Sequence, residues 1–186
     1  MMWARLTRTL DSAIARRKQP PALVCRKAAP LALESLEARE VPAIAVQIDY
    51  SFDTSGFFSD PSRRAVLQQA VNDVAAHLDA PLAALASSAG NTWSETFFNP
   101  STGQQATIAN PSVAANTLVL YVGGRPIGGS EAGVGGPGGY SASGSQSWFD
   151  SLHARGPGGT LLWGGSIAFD AGASWYFGSS AGGITT

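Results

Sequence analysis

Histidine, cysteine and charged residues are scarce in this chain, and each scarcity closes off some chemistry. Among 186 residues there is one cysteine, Cys25, so no intrachain disulfide can form. There are two histidines, His77 and His153. The helical His-Glu-x-x-His pair of a zinc peptidase is therefore absent, and with it the two ligands and the base that such a motif supplies. Charged residues make up 13% of the chain, and no apolar run reaches the 18 residues that a membrane-spanning helix needs. Residues 43–186 hold four Lys/Arg against nine Asp/Glu, which leaves no basic patch for nucleic acid.

What charge there is divides unevenly. Residues 1–42 carry eight Lys/Arg against four Asp/Glu and are punctuated by Pro20, Pro21, Pro30 and Pro42. This head lacks the apolar stretch of an ordinary secretory signal and reads as a disordered basic tail lying outside the domain core. The remainder, 43–186, is the globular part, and its last third is rich in Gly and Ser.

Ile44, Val46, Ile48, Tyr50 and Phe52 recur every second position, which predicts a strand with one apolar face. Asp60 followed by Pro61 is a helix start, because the side chain can cap free N–H groups and proline has none to waste. Val66, Leu67, Ala70, Val71, Val74 and Leu78 then make a helical stripe, ended by Pro81. Residues 92–98 and 104–109 predict a hairpin around Asn99–Gly103. Residues 117–122 are continuously apolar, as suits a strand buried on both faces. The ten glycines of 123–144 predict a long loop. A short helix is expected over 146–155, and strands over 164–170 and 174–178. The pattern is α/β (α+β): a twisted mixed sheet of about five strands with one long helix on one face.

Few side chains suggest a site. His77 follows Asp73 by four residues on the polar side of the helix, where a local ion pair is the simplest reading. Asp150 and His153 share one turn of the short helix and are candidates for a metal or a catalytic role. Glu131, Asp150 and Asp170 could offer oxygens to calcium near the glycine-rich segment, or be plain solvated carboxylates.

Two stretches resemble known families. Leu33-Glu34-Ser35-Leu36-Glu37-Ala38-Arg39-Glu40-Val41-Pro42 is similar to a Leu-Glu-x-Leu-Glu-x-Arg-x-x-Pro element near the N-terminus of many planctomycete secreted or surface proteins. It implies a secreted or cell-surface location. Residues 43–180 resemble the sheet-forming half of the matrixin-like (metzincin) zinc metalloproteases. The resemblance rests on the segment from Ile48 to Phe58, on the helix beginning at Arg63, and on Trp163-Gly164-Gly165-Ser166-Ile167-Ala168-Phe169-Asp170 with Trp175. In register with the family's Gly-Asp-x-His-Phe-Asp strand, Ser166 stands where an Asp is usual and Ala168 where a structural-zinc His is usual. Asp170 keeps the position of a calcium-ligating carboxylate. Cys25 does not match the family's zinc-capping pro-segment.

The resemblance implies a zinc endopeptidase whose catalytic zinc these residues cannot hold, so no catalytic residue is assigned. The expected product is a truncated, inactive domain, with the missing C-terminal half or a polypeptide substrate as partner. The resemblance also implies that the 61–79 helix covers one sheet face and the absent zinc helix the other. A non-catalytic cell-surface binding module is the alternative, and a hydrolase built on Asp150 and His153 is a third reading.

Overall fold

The computed structural model describes residues 44–78, 81–156, 158 and 161–178. The basic head and the Leu-Glu element fall outside them. Strand β1 (Ala45–Asp49) is followed by helix α1 (Pro61–Ala75), the hairpin β2 (Thr92–Phe98) and β3 (Gln105–Ala109), and the long β4 (Thr117–Arg125). Then come β5 (Gly133–Pro137), β6 (Gly139–Ser143), helix α2 (Gln146–His153) and β7 (Gly164–Asp170).

Two sheets result. The first has the order β1-β4-β7-β5, with β1, β4 and β7 parallel and β5 antiparallel at the edge. The second is antiparallel with the order β3-β2-β6. The expected single sheet of about five strands is thus a mixed four-stranded sheet and a separate three-stranded one.

Strand β4 carries the main core. Its alternation sends Val119 and Tyr121 to one side and Val122 to the other, and all three are buried. Against the first side pack Trp93 and Phe97 of β2, Leu152 of α2, Leu161 and Trp163. Phe97 stacks on Tyr121 with centroids 4.2 Å apart, and Phe52 meets both edge-on. Offset-parallel and edge-to-face rings are the favoured aromatic geometries. The second side holds Phe57, Phe58 and Val122, with Leu67, Ile167, Phe169 and Trp175 around them.

This arrangement overturns one expectation. The sheet face away from α1 is covered, and the second sheet with α2 covers it. The poorly covered apolar surface lies on α1's own side. Of the α1 residues only Ala75 is buried, while Val74 is 64% exposed and Leu78 37%. The stripe exists as read, but the sheet meets only part of it.

Three further expectations change. Phe52 does not continue the face of Ile48 and Tyr50: β1 ends at Asp49, and the turn that follows sends Phe52 into the opposite core. Residues 174–178 form no strand. Trp175 instead donates from its indole N–H to the Asp170 carbonyl at 2.7 Å and packs against Phe169. The glycine-rich stretch 123–144 is not one long loop. It holds the end of β4 and all of β5 and β6.

The α1 cap follows the residue that predicted it. Asp60 accepts from the Ser62 N–H at 2.8 Å and so starts α1, and the two Ser62 hydrogen bonds hold its carboxyl below the ordinary range. Asp53 pins the loop before α1 to β4, accepting from Phe58 N–H at 2.7 Å and Gly124 N–H at 3.1 Å. At Gly124 a methyl group would lie 2.4 Å from Phe57 Cβ, so the glycine is what lets that ring seat against the strand.

Candidate functional site

Strand β5 is exposed along its whole length. Its sequence is Gly-Val-Gly-Gly-Pro, a poor strand by propensity. Contact geometry explains the glycines. A Cβ on Gly135 would meet Ile167 and the Ser166 carbonyl at 3.3 Å, and one on Gly165 would sit 2.3 Å from the Gly136 carbonyl oxygen. Backbones of β5 and β7 approach too closely for side chains between them. At Gly138, between β5 and β6, a Cβ would fall 1.7 Å from the Trp163 indole. The chain bends round that buried ring and passes from the first sheet into the second. The Gly138 N–H donates to Gly164 O at 2.9 Å, and the Trp163 indole N–H donates to Gly139 O at 2.8 Å.

Among the described residues β5 pairs with β7 alone, so its other edge keeps free backbone donors and acceptors, and all five of its residues are exposed. A depression lies on each face of the sheet beside it. On the α1 side is an apolar groove of about 440 Å³, walled by Leu67, Val71, Val74 and Leu78 of the helix side and by Leu118, Leu120 and Ile167 of the sheet. On the other face is a smaller cleft of about 250 Å³ between Asn99, Pro100, Arg125, Ser166 and the residues Val134–Pro137.

The residues singled out in the sequence lie elsewhere or are occupied. Asp170 uses Oδ1 to accept from Ile127 N–H at 3.2 Å and Gly172 N–H at 3.1 Å, fixing the two turns that leave β4 and β7. Asp150 is exposed and accepts from Gln146 at 2.9 Å. His153 does share α2 with it, but the partner of its Nε2 is the Tyr140 hydroxyl at 3.0 Å, on β6. Glu131 and His77 are exposed. Among the described residues no three His, Cys, Asp or Glu side chains come together as a metal site. Ser166 and Ala168, where the resembled family carries metal-associated side chains, are both buried against the second sheet's side.

Two buried ionisable residues were not anticipated. Glu95 is fully buried on β2, where its position between Trp93 and Phe97 on the inward face was the only signal. Tyr121 donates its hydroxyl to Glu95 Oε2 at 2.8 Å, while Oε1 has no partner. Burial raises the Glu95 pKa, opposed by the Tyr121 hydrogen bond, and burial also raises that of Tyr121. Arg155 is fully buried and ties the end of α2 to Leu162 and to the start of β4 through the Leu162 and Thr117 carbonyls. Burial lowers its pKa. A Gly-x-Ser-x-Gly spacing also occurs at Gly178-Ser179-Ser180-Ala181-Gly182; its serines lie outside the described residues.

No protein-family model matches the sequence, and no curated protein or solved structure is significantly similar to it.

Proposed function

We propose that these residues form the sheet-bearing part of a secreted or cell-surface, matrixin-like zinc metallopeptidase domain and have no peptidase activity by themselves. The observation that carries the reading is the open groove beside α1. A sheet that is otherwise sandwiched presents Leu118, Leu120 and Ile167 next to an exposed helix stripe. An apolar surface of this kind on a soluble domain marks a place for another element, and a second helix laid alongside α1 fits it. The second sheet and α2 occupy the face on which the resemblance places the zinc-bearing helix, so in this reading that helix docks beside α1 instead. The free edge of β5 supports the same reading, because an extended polypeptide can add to an exposed edge through backbone hydrogen bonds alone.

The catalytic zinc of such a domain would be held by three histidines and would activate water for attack on a peptide carbonyl. Of the two histidines here, His77 lies just past the end of α1 and His153 at the end of α2, and neither is a ligand in this reading. What the present residues contribute is position: the sheet fixes where a helix docks, and β5 fixes where a substrate strand runs.

The test is to add an amphipathic helical peptide bearing His-Glu-x-x-His-x-x-Gly-x-x-His, with zinc. We expect saturable binding, a melting temperature raised by several degrees through linkage, and loss of both with Leu120→Glu at the groove floor. Absence of binding to the peptide, with an intact fold by circular dichroism, would overturn the proposal. It would favour instead a non-catalytic surface module that uses the β5 edge alone.

A further inference from the structure

From the cleft on the second face of the sheet we infer a binding site for a carboxylate group, recognised by Arg125. Four arginines lie within the described residues, and three are committed. Arg63 donates to the Phe57 carbonyl at 2.9 Å and lies over the Phe57 ring. Arg64 donates to the Phe58 carbonyl and lies over Tyr50. Arg155 is held by two carbonyls through Nε and Nη2, with its Nη1 buried and unpartnered. The Arg125 guanidinium alone has neither a hydrogen bond nor an ion pair among the described residues, and its Nε is shut off from solvent without a partner.

Its placement is fixed. Arg125 ends β4 in register with Asp170 on β7, but the Asp170 Oδ1 is turned to the backbone amides of Ile127 and Gly172. Gly103 lies against the guanidinium, and a Cβ there would be 3.2 Å from the Arg125 Cζ. The turn carrying Gly103 is itself braced, with Asn99 Oδ1 accepting from the Ser101 N–H at 2.9 Å. The cation thus stands at the wall of a half-enclosed cleft of about 250 Å³, with the Ser166 side of β7 as its floor and β5 as its rim.

A guanidinium stripped of part of its water and given no counter-ion is an unusual arrangement, since buried or half-buried charges are ordinarily paired. A planar carboxylate is the group its fork-like donors match best. Pairing here is stronger than at an open surface, because water screens the cleft less. The carboxylate could belong to an acidic side chain of a peptide lying along β5, or to a free small carboxylate. The inference does not depend on the peptidase reading.

Titration of the 15N-labelled chain by NMR separates these sources. The probes are glutarate, a capped hexapeptide with a central Glu, and the same peptide with Gln. We expect the Glu peptide to bind about tenfold tighter than the Gln peptide, the scale of one charge-assisted hydrogen bond. Shifts should centre on residues 99–103, 125 and 134–137. Arg125→Gln should remove the difference and Arg125→Lys should retain part of it. Glutarate binding as tightly as the Glu peptide would identify a free small carboxylate as the ligand. Equal binding of the Glu and Gln peptides together with no glutarate binding overturns the inference, as does a preference that survives Arg125→Gln. Should Arg125→Gln fail to fold, the Glu/Gln comparison on the unaltered chain still decides.

Discussion

Glu95 and Gly138 illustrate how single residues govern this fold for opposite reasons. The Glu95 carboxyl is buried between the sheets, and burial raises its pKa. The native state therefore holds its proton over a pH range in which the unfolded chain has lost it. Stability should be fully expressed at acidic pH and decline as pH rises from the ordinary Glu range through the raised value. Glu95→Gln keeps an acceptor for Tyr121 and cannot ionise. We expect chemical denaturation to find the variant more stable than the parent at pH 8, by about 1 kcal/mol, with the gap closing near pH 4. A gap that widens on acidification would contradict the assignment. Gly138 matters through space alone. Trp163 is fully buried and its N–H is bound to Gly139, so the ring cannot yield to a methyl group. Gly138→Ala should cost about 3 kcal/mol and lower the melting temperature by roughly 10 °C. Gly136→Ala, which meets nothing within 4 Å, should change stability by no more than about 0.5 kcal/mol.

Among the elements, α1 is the one left half-used. Its Val74, and Leu78 just after it, stand out from the sheet on the border of a groove that no described residue fills. The unaltered chain should bind a hydrophobic dye and self-associate with rising concentration. Val74→Glu with Leu78→Gln should reduce both markedly while leaving the melting temperature within a few degrees, because exposed side chains contribute little to the core. Dye fluorescence and sedimentation read this directly, and unchanged values would mean that the groove is closed in solution. The elements also show where reading from sequence succeeds. The α1 start at Asp60 and Pro61, the β2–β3 hairpin and the apolar β4 depend on neighbours near in the chain or on plain hydrophobicity, and each stands close to its expected bounds. β5 and β6 were hidden because their strand character comes from β7, β2 and Trp163, which lie at other places in the chain, while local propensity argued for a loop. The strand expected at 174–178 fails for the converse reason: its aromatic alternation is spent on the core around Phe57 and Phe169, with no strand beside it to pair. The cleft at Arg125 was illegible too, since it takes a turn, a strand end and an edge to make it.

At the scale of the whole molecule, both readings exclude peptidase action by the chain alone. Purified protein incubated with casein and zinc should show no cleavage above background, because the sequence has no His-Glu-x-x-His. Zinc-dependent, chelator-sensitive turnover by the pure chain would refute the non-catalytic assignment.

One corner of the fold has a consequence for how the molecule comes apart. The backbone that closes the edge of the first sheet runs through a single residue, Gly138, into the strand that closes the edge of the second. Neither sheet can shed that edge without tugging on the other, and the Trp163 indole sits in the crook like a pin in a hinge. Opening fluctuations should therefore be shared. Amides of β6 and β7, though they belong to different sheets, are expected to exchange with deuterium at a common rate near the global limit. A cut in the chain at this corner should release two separate rates where there was one.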